Sequence, residues 1–256
     1  MCKRPDSSRM WRYRIRSIPA LPGHIAAQMT GDISVTKSYQ NDIEIVDKHV
    51  PLAVAKRDIP IGNPDGTQLS VNEINNAPEG EGGLVGYATT RIRLSYCNLD
   101  CEFCDTEFNY AIRMTIDQIL EKVKRYSSIW ISITGGEPLI RNIVPLCRAL
   151  KAEGYKLHIE TNGTVAPGSE LLELIDYWTV SPKTKRVVSE LQRIDELKYV
   201  VNKQFFEEDV EEDRADHIYL QPQDNDPVYI WQALDVLRRH PTWRLSIQVH
   251  KLINLP

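Results

Sequence analysis

Seven short runs rich in β-branched and aromatic residues recur along the chain, at 89–96, 129–134, 156–161, 177–181, 197–201, 217–221 and 244–249. Their recurrence restricts the fold more than any other feature, because patterns with helical spacing fall between several of them. Thr115 can cap a helix running to about Tyr126, with Ile116, Ile119, Leu120 and Val123 along one face. Pro138 opens a second helix to about Glu153, and Gly154 ends it. A third spans Pro227 to about Arg239 and is stopped by Pro241; its stripe of Trp231, Leu234 and Leu237 reads as core. Strands alternating with helices predict an α/β fold with a parallel sheet and right-handed crossovers. Too few residues separate 181 from 197, or 201 from 217, for long helices, so those crossovers are abbreviated.

Before residue 71 this pattern is lost. Residues 1–20 carry Lys3, Arg4, Arg9, Arg12, Arg14 and Arg16 against one acid, Asp6. Such a start reads as a disordered tail, or as a start ahead of the true one at Met29, in preference to an organelle transit peptide. Residues 59–66 form a turn cluster. The expected organisation is an N-terminal appendage, 1–70, partly disordered or targeting, followed by one domain, 71–256. The net charge of −4 is mild and no basic aromatic strip is present, so direct nucleic-acid binding is not expected. No apolar run reaches the roughly 18 residues of a membrane span, so no membrane partner is expected either. The acidic run 205–216 reads as a solvated face.

Five cysteines are present, and three of them, Cys97, Cys101 and Cys104, lie on one short stretch after the first run. An odd number so clustered is a poor disulfide framework and a better metal site. A reducing, cytoplasmic location follows. Cys147 lies on the apolar side of a helix and reads as a buried thiol, and Cys2 sits in the tail. Three thiolates on one loop can hold three irons of a four-iron cube, leaving the fourth without a protein ligand. Open sites do chemistry, and closed ones are structural. The alternative is a zinc knuckle that takes a histidine as fourth ligand. A second element favours the cube: Thr134-Gly135-Gly136-Glu137-Pro138 ends the next run. Its glycines let backbone approach a ligand closely, and the helix after it points N–H groups into the same area.

Together the cysteine loop and the Gly-Gly-Glu-Pro turn resemble the radical S-adenosylmethionine (SAM) superfamily. Within it, residues 71–256 closely resemble the 7-carboxy-7-deazaguanine synthases. The likeness extends to 79–82 (EGEG), Arg93, the Cys-Asp-Thr of 104–106, 160–164 (ETNGT), 180–183 (VSPK), 220–222 (LQP), and the ending from Gln248 to Pro256. It implies a partial (β/α) barrel of about six parallel strands with abbreviated helices. It further implies a 4Fe–4S cluster on Cys97, Cys101 and Cys104, with SAM at the open iron as source of a 5′-deoxyadenosyl radical. Phe103, Gly135, Gly136, Glu137, Glu160, Asn162, Ser181, Lys183 and Gln221 would form the SAM pocket. The implied substrate is 6-carboxy-5,6,7,8-tetrahydropterin, whose ring contracts with loss of ammonia. Glu79, Glu81, Arg93, Thr134, Gln248, His250 and Pro256 would bind it, with Glu81, Arg93 and His250 nearest the reaction. Arg93 suits a carboxylate partner, which it can pair with bidentately. Thr106 would be a ligand of Mg2+, a hard cation that accepts hydroxyl oxygen. A flavodoxin- or ferredoxin-type electron donor and a homodimer complete the expectation.

One departure is visible: the family has Gln where this chain has Glu79, an acid that would repel a substrate carboxylate unless it pairs with Lys or Arg. The rival functions are another short radical SAM enzyme, such as a glycyl-radical activase, or a zinc-stabilised binding module without turnover. The ending yields a first prediction. If the Pro256 carboxylate reaches the substrate, a C-terminal extension lowers turnover and an N-terminal tag does not; equal rates for both fusions would refute it.

Overall fold

Ten strands form a single sheet in the computed structural model, which describes residues 45–46, 62–107 and 110–255. They are β1 (Ile45–Val46), β2 (Gln68–Pro78), β3 (Ala88–Leu94), β4 (Ala111–Thr115), β5 (Trp130–Gly135), β6 (Lys156–Thr161), β7 (Tyr177–Val180), β8 (Glu196–Val201), β9 (His217–Pro222) and β10 (Arg244–Leu245). From β3 through β5 to β10 every pair is parallel, and spatial order follows chain order. Successive crossovers of one hand produce this arrangement. On the far side of β3 the sheet continues antiparallel through β2, β4 and β1. The sheet ends in β1 and β10, so the barrel is partial, as expected. Six parallel strands are full length, and β10 adds two residues.

The helices are short. The α1 helix (Ile116–Val123) starts in a capping box: the Thr115 hydroxyl accepts from the Gln118 N–H, and the Gln118 side chain accepts from the Thr115 N–H. The helix expected from Pro138 is divided. Pro138–Ile140 makes one 3₁₀ turn, and α2 (Val144–Ala152) begins afresh with the Asn142 side chain accepting from the Val144 N–H. Pro145 lacks the N–H that a continuous helix would need there, and it is tolerated only in a first turn. The remaining helices are α3 (Ser169–Leu174), α4 (Pro227–Leu237), capped by Asp226, and α5 (Val249–Leu252). Among the described residues no helix is long and apolar enough to cross a membrane.

Ile131, Ile133, Leu157, Ile159 and Trp178 of the sheet and Leu146, Cys147 and Leu150 of α2 are wholly buried together. Each such aliphatic side chain contributes roughly 2 kcal/mol. Burial drives the Cys147 thiol up to about 12, which makes it inert, as its position implied. The α4 stripe is corrected at Trp231, which is 65% exposed; Leu237 does pack against the core, and the helix buries Ala233 and Val236 beside it. The run 244–249 is also a strand for only two residues. The Asn225 side chain accepts from the Gln248 N–H and donates to the Gln248 carbonyl, so it takes the place of a strand partner. Most of the appendage expected over 1–70 lies outside the described residues. Its described end bridges Gly62 to Leu69 and runs directly into β2.

Candidate active site

The parallel strands point their C-terminal ends at one cavity of about 440 Å³. Its wall takes Arg91 and Arg93 from β3, Thr134 and Gly135 from β5, Glu160 and Thr161 from β6, Lys198 and Val200 from β8, and Gln221 from β9. Loops after β3 and β7 add the three thiols, Phe103, Thr106, Ser181 and Lys183, and the chain's end adds Gln248, His250 and Leu255. Every site residue expected from the sequence lines this cavity except two. Pro256 lies outside the described residues. Glu137 is wholly buried beneath the wall.

The cysteine loop leaves β3 through Tyr96, whose φ of 69° is rare for a bulky residue. The strain is met by a backbone clamp. The Gly136 and Glu137 N–H groups donate to the Leu94 and Tyr96 carbonyls, at 3.0 and 2.9 Å. Buried Arg141 donates to the Ser95, Tyr96 and Glu137 carbonyls. The Glu137 carboxylate accepts from the Leu139 N–H, the Thr161 hydroxyl and the Asn162 N–H, so it locks the ends of β5 and β6 together. Sequence reasoning assigned Glu137 to the cofactor pocket because the turn motif was read as a unit. Arg141 was missed because nothing in the pattern distinguishes it from a surface arginine.

Around the sulfurs, the Leu99 N–H donates to Cys97 Sγ at 3.4 Å and the Asn162 amide points at the same atom at 3.8 Å. Burial raises the Cys97 and Cys101 thiols, and neighbouring thiolates add to the effect at both. Three thiolates at such spacing require a positive centre between them. Among the described residues, the group whose ligand atoms all lie within 4.8 Å of one another is Glu79, His158 and Glu160. No described histidine lines the cavity on the thiol side; His250, the one in its wall, stands with Glu81 at the other end. The donor set fits a cluster. Beside it, Lys183 Nζ donates to Ser181 Oγ at 2.7 Å and sits 5.6 Å from the Phe103 ring centre. Asn162 also donates to Asn98, whose amide donates to Thr164.

The other end is a network of carboxylates. Lys198 Nζ lies 2.6 Å from Glu81 Oε2 and 3.0 Å from Glu160 Oε2. The second Glu81 oxygen accepts from Gln248 Nε2 at 2.9 Å. Burial alone would raise Glu81, but the Lys198 charge and hydrogen bond bring it down to about 2. Glu160, expected on the cofactor side, lines the same cavity and is held by Lys198 in this group. Glu79 faces the cavity and has a basic partner, Arg91, at 3.7 Å. Its Oε2, the Gln248 Oε1 and the His250 Nδ1 are buried without a protein partner. Buried polar atoms are almost always satisfied, so these three are unmet hydrogen-bonding capacity at the cavity wall, although His158 lies 4.0 Å from the Glu79 atom. The Glu79, His158 and Glu160 trio is not a cation site, since Ser132 and Thr179 occupy both His158 nitrogens and Lys198 holds Glu160. Lys251 bridges Asp105 and Asp224 and ties the chain's end to the cysteine loop. Lys198, Arg91 and Lys251 were missed, because a single lysine or arginine in a strand or tail carries no spacing signal.

Burial, and then the nearby Glu160 carboxylate, push Glu79 above its ordinary range. The native state thus holds a proton that the unfolded chain releases, and stability falls as pH rises from the ordinary carboxylate range through the raised value. The Glu79→Gln protein is expected to retain activity and to resist denaturation better than wild type, by a margin that widens with pH. Urea melts at several pH values check this; a constant margin, or a large loss of turnover, contradicts it.

Residues 92–253 match the model of the radical SAM superfamily. The chain is 39% identical to the 7-carboxy-7-deazaguanine synthase of Bacteroides thetaiotaomicron, over 72% of its own length and 97% of that relative. It is 36% identical to the 7-carboxy-7-deazaguanine synthase of Haemophilus influenzae, over 73% of its length and 94% of the relative. The fold is similar to the crystal structure of QueE from Escherichia coli, with a TM-score of 0.61 and 26% identity over 72% of this chain and 95% of the other. With its three thiols, its open strand ends and these relatives, the chain belongs to the 7-carboxy-7-deazaguanine synthase family of radical SAM enzymes.

Proposed function

We propose that this chain converts 6-carboxy-5,6,7,8-tetrahydropterin to 7-carboxy-7-deazaguanine with release of ammonia, a step in queuosine and deazapurine synthesis. One observation carries the reading: a single cavity joins the three thiols to a polar end that holds one accessible arginine fork and two ionised carboxylates. When bound, the cluster and SAM supply a carbon radical that takes hydrogen from the substrate. The protein's residues bind, orient and shield. Asn162, Ser181, Lys183, Phe103, Gly135, Gly136 and Gln221, grouped around the thiol end and strand ends, would hold SAM. Glu137 serves that pocket indirectly, through the β5 and β6 ends it locks.

Arg93 donates from Nε to Glu73 at 2.7 Å, which fixes the plane of its guanidinium. Its Nη atoms are then the partners for the substrate carboxylate, while Thr106 Oγ1, 3.5 Å from Nη1, would bind Mg2+ beside it. Glu81 and Glu160 would accept from the amino and ring N–H groups of the pterin. Glu79, Thr134, Gln248, His250 and Pro256 would complete its outline. Arg93→Gln is expected to raise KM for the pterin by about ten- to a hundredfold, the effect of a lost charge-assisted bidentate pair. An unchanged KM would assign Arg93 to structure alone.

A flavodoxin- or ferredoxin-type protein is the proposed reductant, a homodimer the proposed assembly, and the cytoplasm the proposed location, which suits unpaired thiols. The decisive experiment is anaerobic reconstitution with iron and sulfide, then incubation with SAM, Mg2+, reductant and the carboxypterin. The deazaguanine product supports the assignment. SAM cleavage with the pterin left intact points to a different radical SAM substrate, and colourless zinc-loaded protein to a binding module.

A further inference from the structure

We propose that Lys198 is the positioning residue of the substrate end, whose ammonium holds Glu81 and Glu160 together as two ionised acceptors aimed at one donor-rich ring edge. The inference rests on the pterin reading given above, which names the edge. It stands on geometry. The Lys198 side chain is only 4% exposed, and Nζ bridges two carboxylates that come from different elements, Glu81 from the loop 79–87 and Glu160 from the end of β6.

The groups around it explain why a cation is required. Glu196, two residues earlier on the same face of β8, accepts from the Gly83 N–H and from the Tyr177 and Thr179 hydroxyls. His158 of β6 lies beside Glu79, Arg91 of β3 faces Glu79, and Lys183 lies beyond β7 with the thiols. His250 stands 4.0 Å from Glu81. Without the Lys198 charge, Glu81 and Glu160 would be neighbouring like charges in a half-buried site. Such a pair takes up one proton between its members. One acceptor would then become a donor, and two N–H groups of a ring edge would no longer both be matched. A buried lysine is also a poor choice for stability alone, since well-packed apolar residues often replace a buried ion pair without loss. Its presence at the cavity wall, held by two acids, points to the ionisation state of those acids.

Two measurements on the reconstituted enzyme test the proposal. The first is equilibrium binding of the carboxypterin with SAM present and no reductant, followed across neutral pH. Wild type is expected to bind with a flat profile. Lys198→Met and Lys198→Gln are expected to bind about tenfold or more weakly at neutral pH and to regain affinity as pH rises and the shared proton leaves. Lys198→Arg is expected to keep both the flat profile and affinity within a few-fold of wild type. The second needs no pterin and is made in a Glu79→Gln background, which removes a neighbouring carboxyl group whose affinity for a proton is raised: the infrared carbonyl band of a protonated carboxyl group should be larger after Lys198→Gln than before it near neutral pH, and that excess should disappear when Glu160→Gln is added. Weakening by the same factor at every pH, or an unchanged infrared band, overturns the role. If Lys198→Met does not fold, Lys198→Gln and Lys198→Arg decide, and an Arg variant with a tilted profile counts against the proposal. Wild type that fails to bind the pterin while the infrared result holds would refute the pterin reading and leave the lysine's role supported.

Discussion

Replacing Cys101 by alanine is expected to abolish turnover and SAM cleavage together, a loss of at least about six orders of magnitude, because the radical is the source of the rate enhancement. In the proposed ligand set Cys101 is the middle of three sulfurs, and two cannot hold three corners of a cube. The loss should be chemical and not structural. The residue is only partly buried, and its carbonyl, which accepts from the Cys104 N–H at 3.0 Å, is retained in alanine. Iron and sulfide content should therefore collapse while the circular dichroism and melting point of the cluster-free protein stay near wild type. A variant that still binds four irons and cleaves SAM would show that another residue supplies the third ligand.

Gly136→Ala is expected to be severely damaging through packing alone, since the Gly136 backbone itself suits any residue and only the space is missing. A Cβ at that position would collide with the carbonyl of Tyr96 and approach the Cys97 nitrogen to 2.7 Å. Both are backbone atoms of the entry to the cysteine loop, so no side-chain rotation can relieve the clash. Either the loop moves or the Gly136–Leu94 and Glu137–Tyr96 hydrogen bonds break. The cost is roughly 3 kcal/mol, the scale of severe overpacking, and reconstituted iron should fall with it. Gly168→Ala is the control: nothing lies within 4 Å of its Cβ and its φ of −69° suits any residue, so its melting point should change little. Equal effects from the two alanines would mean that close approach at Gly136 is not what the motif is for.

The parallel half of the sheet was legible because each strand is buried on both faces and so reads as an apolar run, as in Ile131-Ser132-Ile133 or Tyr199-Val200-Val201. The antiparallel half was not. β2 carries Asn72, Glu73, Asn75 and Asn76 on a half-exposed hairpin, and β4 is five residues long, so neither stands out from a loop. Tertiary hydrogen bonding also overrode local pattern at Gln248, where an asparagine side chain displaced a strand. In the site, grouped residues such as Cys97, Cys101 and Cys104 announce themselves by spacing. Lys198 acts through partners 117 and 38 residues away and Arg141 through one 46 residues away, and no local window contains such information.

The loop 79–87 has a consequence for the making of the protein. Gly83 is held by Glu196, Gly82 by Ser246, the Gly80 carbonyl by Val249, and Glu81 by Gln248, which is 167 residues distant. On the ribosome the cysteine stretch is synthesised long before those partners emerge. A nascent chain therefore carries its three sulfurs on an unfinished scaffold, exposed to oxidants and stray metals until Ser246, Gln248 and Val249 have emerged. Loading with iron and sulfur is therefore best served once Ser246, Gln248 and Val249 have closed on the loop.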